Sequence, residues 1–508
     1  MSPTHRRRPI FVALFVTLFA LSLAAQDVAS FEKRITVKTL KNGLTVLVME
    51  RPEAPVFSFH IVVDAGSAQD PKGGSGLAHM FEHMAFKGTP KIGTTNWAKE
   101  KPLLDQLEKA YQEYDFEKRK IVGRDEAKIK ALEAKWRALQ DQAEQYIKQD
   151  EFGEIVENAG GVGLNASTGS DVTRYYYSLP ANQTELFAYL ESERLIRPVY
   201  RQFYKERDVV LEERRMRTDS SPIGRLIEQL LAAAFTAHPY QVSGVGWHSE
   251  ISSVTATEAE EFFKTYYKPS NMILAVVGDV KAATILPLIE RYFGRIPAGP
   301  KAPELKTIEP DQIGERTITI REATQPWYIE GYKRPAYTDP DDAVYDAISD
   351  ILSSGRTSRM YRSLVRDKKI ALQAGGFGGF PGNKYPNLFL FFAIPSQGKT
   401  PTDVQTAIRE EIERLKNEDV TDEELNRVKT NAKANLLRGL ANNQGLAIQL
   451  STAQLRYGDW RGLFQEVERI DKVTKADIRR VANKTFVANR RTVGIIENVP
   501  AGAAKGGN

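Results

Sequence analysis

The sequence predicts an α+β chain of two related α/β sandwich units, each an antiparallel-rich sheet packed by helices, with a helical hairpin inserted in the first. Three observations carry this prediction. A helix–strand pattern starting at residue 251 recurs 219 residues later, strand-like alternation fills residues 35–65, and the block at 91–150 has helical periodicity. Composition agrees: 42% hydrophobic and 27% charged residues in a chain of 508 are ordinary globular fractions. They exclude fibrous, low-complexity and wholly disordered chains, and the length leaves room for more than one core.

The first element reads as an address. His5 and Arg6–Arg8 precede Pro9 and an apolar run from Ile10 to Ala25, with small residues Ala24 and Ala25 at its exit. A basic start, a short apolar core and a small-residue end are the marks of a cleavable secretory signal, here residues 1–25. The alternative is a single membrane anchor, but about 20 apolar residues are needed to span a bilayer. The expected mature protein is exported, periplasmic or otherwise outside the cytoplasm, with no stable membrane span.

Strands follow at Ile35–Lys38, Leu44–Val48 and Val56–Val63, the first two joined by an Asn42-Gly43 turn. After the glycine-rich Gly73–Gly76, a helical pattern runs from Leu77 to Phe86. Residues 91–150 are rich in Lys, Glu, Gln and Ala. Leu104, Leu107 and Tyr111, then Ile129, Leu132 and Trp136, fall at helical spacing, which reads as an inserted hairpin with a narrow apolar seam. Strands are expected at 163–169 and 172–179, and helices at 184–196, 201–217 and 223–236. Each copy of the repeat then opens on a threonine N-cap with an acid three residues on: Thr255 with Glu258, and Thr474 with Asp477. A linker at 296–312, containing Pro297, Pro300, Pro303 and Pro310, separates a first domain (31–295) from a second (313–500).

Charge and cysteine narrow the function. Lys and Arg exceed Asp and Glu by 70 to 65, and three of those cations are Arg6–Arg8, so the body is nearly neutral. A dedicated nucleic-acid binder should carry a net basic field. There is no cysteine, which removes disulfides, thiol catalysis and sulfur-ligated metal sites, so any metal must sit on carboxylates and the six histidines.

His79-Met-Phe-Glu82-His83 sets two imidazoles four residues apart on one helix face, with a carboxylate near the same side. Zinc takes paired neutral imidazoles, a third protein ligand and an open position for water, and a neighbouring carboxylate can accept that water's proton. A solvated or core histidine pair is the alternative. For the third ligand, Glu206 and Glu213 lie seven residues apart, about 700° of helix, and so share a face from which Glu212 is turned by about 100°. Val209 and Val210 suggest that one side of this helix is buried. An exposed salt-bridge network with Arg207 and Arg214 is the competing reading.

These residues carry a resemblance. The inverted His-x-x-Glu-His motif within Gly76–Thr89, together with the Glu206…Glu213 helix, resembles the pitrilysin-type (inverzincin) zinc metallopeptidases. Within them the chain is most similar to the mitochondrial processing peptidase β-subunit and its bacterial relatives. Glu157–Gly161, Asn165–Thr168 and Thr173–Tyr176 match a second motif of the family, and His238-Pro-Tyr240 a third. In the second domain Gly355–Tyr361 and Leu364-Val-Arg366 also match. The resemblance implies a zinc-dependent metalloendopeptidase with one Zn²⁺ per chain held by His79, His83 and Glu213. Glu82 would be the general base and Glu206 a second acid of the catalytic site. It implies a substrate edge strand at Asn165 and Ala166, and a substrate contact at Arg366. Here the chain departs from the family, which pairs that arginine with a tyrosine seven residues on; this chain has Gln373. The spacing from His83 to Glu213 also exceeds the family's by about the length of the 91–150 block, which is read as an insertion. The family closes a clamshell chamber from four such domains, of which this chain supplies two. The implied partners are therefore peptide substrates and a second half, in a homodimer or a heterodimer with a related subunit. The alternative function is a catalytically silent scaffold or binding subunit.

Overall fold

A computed structural model describes residues 31–500. The expected signal at 1–25 lies outside them. Among the described residues no helix is long and apolar enough to cross a membrane.

The first sheet is built from β1 (Ile35–Thr39), β2 (Thr45–Glu50), β3 (Val56–Val63), β4 (Val162–Thr168), β5 (Thr173–Pro180) and β6 (Met272–Gly278), in the order β1-β2-β6-β3-β5-β4. The second contains β7 (Arg316–Glu322), β8 (Trp327–Arg334), β9 (Ala371–Phe380), β10 (Asn387–Pro395) and β11 (Arg491–Asn498), in the order β7-β11-β8-β10-β9. The repeat read in the sequence is visible here as one plan used twice. β6 runs parallel to β2 and antiparallel to β3, and β11 runs parallel to β7 and antiparallel to β8. In each sheet a helix precedes that strand, and both helices begin with the expected capping box, Thr255 with Glu258 and Thr474 with Asp477.

Of the helices packed on the two sheets, seven bear on the site, the insertion and the repeat: α1 (Leu77–Met84), α2 (Trp97–Lys118), α3 (Glu126–Glu144), α4 (Phe203–Arg214), α5 (Ala256–Tyr266), α6 (Asn443–Tyr457) and α7 (Lys475–Thr485). α2 and α3 form the predicted hairpin. Its seam of Leu107, Tyr111, Ile129 and Trp136 is buried, and Tyr111 stacks on Tyr204 of α4 with ring centroids 3.9 Å apart. The insertion is therefore packed against the helix that carries Glu206 and Glu213. The helix expected over 201–217 is shifted: Gln202 has a φ of 57°, which no α-helical residue adopts, and past Arg214 the chain widens into a π-turn to Asp219.

All seven residues of β6 are buried because the strand is covered on both faces. One face meets α1 and α5. The other meets α6, which comes late in the chain yet packs Leu446, Ala447 and Leu450 onto the first sheet. Under α6, His60 of β3 is fully buried with its Nδ1 2.6 Å from Ser451 Oγ. Burial, with help from the Arg174 charge, pushes the His60 imidazole down to about 3. The unfolded chain therefore binds a proton at this residue below about pH 6.5 that the folded chain refuses. Stability from this group is complete above about pH 6.5 and is lost as the pH falls. Urea unfolding is expected to show about 3 kcal/mol less stability at pH 4 than at pH 7 from His60 alone. His60→Gln should flatten that part of the slope; an unchanged slope would reject the assignment.

Candidate metal centre

The helix that carries His79 and His83, α1, is held from outside. Leu77, Ala78, Met80, Phe81 and Met84 enter the core, which leaves His79, Glu82 and His83 along the opposite side. Its N-terminus has no side-chain cap of its own. Instead the Asp70 carboxylate accepts from the Gly76 N–H at 2.7 Å and the Ala78 N–H at 2.8 Å. Gly76 enters the helix with φ 91°, and a Cβ there would lie 2.7 Å from the Val245 carbonyl oxygen, so only glycine fits.

α4 crosses this helix and resolves the ambiguity of its acids. One side of the helix is buried, as expected, but of the two valines only Val210 lies on it, and Val209 is 46% exposed. The step of about 100° between neighbouring helix positions separates them. The exposed salt-bridge network with Arg207 and Arg214 does not form. Both arginines are buried and turn away from the acids: Arg207 bonds to the Tyr111 hydroxyl, and Arg214 donates to Glu228 at 2.7 Å. Glu206 and Glu213 are left facing α1.

The three groups converge. One donor atom each from His79, His83 and Glu213 lies within 4.8 Å of the others, and Glu213 Oε2 is 3.6 Å from the Nε2 of both histidines. Two ligands each about 2.0–2.1 Å from a tetrahedral zinc stand roughly 3.4 Å apart, close to the separation of Glu213 from each imidazole, so the donor set suits the ion. Burial, only partly offset by Glu213, holds the His79 imidazole down to about 4, so it is neutral, the form that ligates a metal. Glu206 stands behind His83, with Oε2 3.4 Å from Nδ1, and also bonds to Lys87. A carboxylate in that place fixes the ring orientation and presents Nε2 forward. Glu82 is raised by burial, against hydrogen bonds from Thr168 of β4 and the charge of His83.

Beside the centre is a cavity of about 430 Å³. Glu82, Phe86, Phe152, Leu164, Asn165 and Ala166 are among its walls, so the expected substrate residues and the expected base share one space. β4 is the last strand of its sheet, and among the described residues no further strand pairs with its outer edge. Arg366 is elsewhere: it lies in the second half, exposed, with its guanidinium 2.6 Å from Asp367. The structure does not bring it to the other site residues.

Three contributors were not singled out in the sequence. Lys87 and Thr168 lie inside the family-like motifs without an assigned role; each holds a carboxylate of the site. Arg201 is 1% exposed at the side chain and donates to Glu100 at 2.8 Å, to the Ile92 and Thr89 carbonyls at 2.9 and 3.0 Å, and to the Lys87 carbonyl. It ties the entry of the insertion to the cavity wall. A buried arginine beside a glutamate 101 residues away leaves no local signal in the sequence.

Known proteins place the chain. Residues 45–101 match the family described as insulinase (peptidase family M16), and residues 253–432 match the peptidase M16 inactive domain. A Helicobacter pylori protein named zinc protease PqqE is 31% identical over 494 residues, covering 94% of this chain and 95% of that one. A probable mitochondrial-processing peptidase subunit beta of Arabidopsis thaliana is 24% identical, over 89% of this chain and 76% of the relative. Among solved structures, a protease from Helicobacter pylori superposes with a TM-score of 0.76 at 27% identity, covering 91% of this chain and 99% of that chain. The periplasmic protease PqqL from Escherichia coli shares the fold, with a TM-score of 0.67 at 17% identity; the match spans 94% of this chain and 49% of PqqL. With its His79–His83 helix, its doubled sheet plan and a relative matched over nearly its full length, the chain belongs to the M16 family of zinc peptidases.

Proposed function

We propose that this chain is a zinc-dependent endopeptidase that cleaves extended peptides laid against β4. The observation that carries this reading is the convergence of His79, His83 and Glu213 near Glu82, beside a cavity walled in part by Asn165 and Ala166 of the edge strand β4. His79, His83 and Glu213 would hold one Zn²⁺, which supplies Lewis acidity and lowers the pKa of a bound water. Glu206 keeps His83 in the tautomer whose Nε2 is free, and Lys87 keeps Glu206 in place. Burial makes Glu82 a better proton acceptor than an exposed glutamate, and Thr168 aims it. Asn165 and Ala166 would offer backbone groups to the substrate, a β-augmentation that selects extended chains with little regard to sequence. Arg366 is proposed to bind no substrate within this half.

The complete ligand set with a base beside it favours a peptidase over a silent scaffold. The reading includes export and a division into domains at 31–295 and 313–500. It also includes a second, related half from another subunit, in keeping with a fold that matches about half of the longer PqqL chain. The test is metal analysis and cleavage of a mixed peptide library by the full chain, with sedimentation in parallel. One zinc per chain, loss of cleavage on chelation and recovery on adding zinc are expected. Stoichiometric zinc with no cleavage rejects the peptidase reading, and full activity as a monomer rejects the partner.

A further inference from the structure

A second cavity, of about 620 Å³, lies behind the metal helix, where the insertion meets the body of the first half. It is larger than the one beside the metal centre and falls in the usual range for small-molecule sites, about 300–1,000 Å³. Its walls are chiefly apolar, with Trp97 and Leu104 of α2, Tyr200, Phe203, Phe263 and Ile196 among them.

The charges around it are unevenly committed. Each of its three acids already has a partner on the chain. Glu108 accepts from the Tyr204 hydroxyl at 2.6 Å and from Thr257, Asp105 pairs with Lys101 at 2.6 Å, and Glu260 pairs with Lys264 at 2.7 Å. The side chains of Arg197 and Lys268, which also line the cavity, make no hydrogen bond or ion pair with the described residues. An apolar space whose uncommitted charges are all cationic matches a ligand with an apolar body and an anionic head.

The cavity is also joined to the metal helix by direct packing. Phe81, between His79 and Glu82, lies with its ring centroid 5.1 Å from Phe263, 4.3 Å from Tyr267 and 6.3 Å from Tyr200, and all three of those rings line the cavity. On another side, Phe203 and Tyr204 belong to α4, three and two residues before Glu206. A ligand that orders these aromatic walls therefore acts on both helices that carry the metal centre.

We infer that this cavity is an effector site for an apolar carboxylic acid, and that its occupancy is linked to metal binding. Decanoate serves as the probe, with decanol as the same chain lacking the charge. Titration calorimetry on the full zinc-free chain should show saturable decanoate binding, with decanol at least about tenfold weaker. Arg197→Glu combined with Lys268→Glu changes only side chains without partners, and should weaken decanoate by a similar factor. Ile196→Trp, which fills the space, should abolish binding of both probes. Linkage requires that decanoate affinity differ between the zinc-loaded and zinc-free chain by about fivefold or more, and zinc affinity by the same factor. Absence of saturable binding, or binding indifferent to the charge reversal, overturns the site. Equal affinities with and without zinc overturn the link. The zinc-free titration does not depend on peptidase activity, so its failure is separate from failure of the peptidase reading.

Discussion

Glu82→Gln is expected to lower peptide cleavage by a factor of about 10²–10⁴ while the chain still takes up one zinc. Gln has the shape of Glu but no lone pair basic enough to accept a proton. The substitution therefore removes proton transfer and leaves the proposed ligands His79, His83 and Glu213 untouched. The hydrogen bonds from Thr168 can still reach an amide oxygen, so Glu82→Gln should also unfold near the parent temperature. Zinc content by atomic emission, thermal unfolding and cleavage rate together decide the outcome. Retained cleavage in a variant that holds zinc would mean that another group takes the proton.

Arg201→Met should cost about 3–5 kcal/mol of stability, read as a fall in the urea midpoint with little change in slope. The size follows from the groups stranded by the change. The Glu100 side chain is fully buried, and without the guanidinium its charge has no counterion, while the carbonyls of Lys87 and Thr89 lose their donor and that of Ile92 keeps only the Thr89 N–H. The double variant Glu100→Met with Arg201→Met should recover part of the loss, because the isolated charge is gone. A fall of less than about 1 kcal/mol in Arg201→Met would show that water or a rearranged loop takes over these groups. Because Lys87 also bonds to Glu206, the single variant should weaken zinc binding as well as stability.

Much of the framework is legible in the sequence. The repeat of helix cap, helix and strand at 251–280 and 470–499 is carried by apolar positions most of which are buried in both copies, and it becomes two sheets built on the same plan. The hairpin at 91–150 is legible because Leu107, Tyr111, Ile129 and Trp136 keep helical spacing while their neighbours are charged. The i, i+4 pairing of His79 and His83 needs only helix geometry. Periodicity is less informative for α4. It puts Glu206 and Glu213 on one face, but it cannot show that Val209 points to solvent, that Arg207 and Arg214 are buried on other partners, or that the helix begins only after Gln202. These depend on the elements packed against α4, many of them distant in the chain, such as Tyr111 against Arg207.

The sequence alone determined the chemistry that is possible. Without cysteine, a metal could rest only on histidine and carboxylate, and helical spacing put His79 and His83 side by side. The tertiary structure decided which of these groups meet. It brings Glu213 Oε2 to 3.6 Å from both Nε2 atoms and sets Glu206 behind Nδ1 of His83; it joins β4 to Glu82 through Thr168 and leaves Arg366 at the surface. The reason is one of range. Helix and strand periods fix which side chains share a face only within a single element. Which face meets which is settled by burying the common core between α1, α4 and the first sheet.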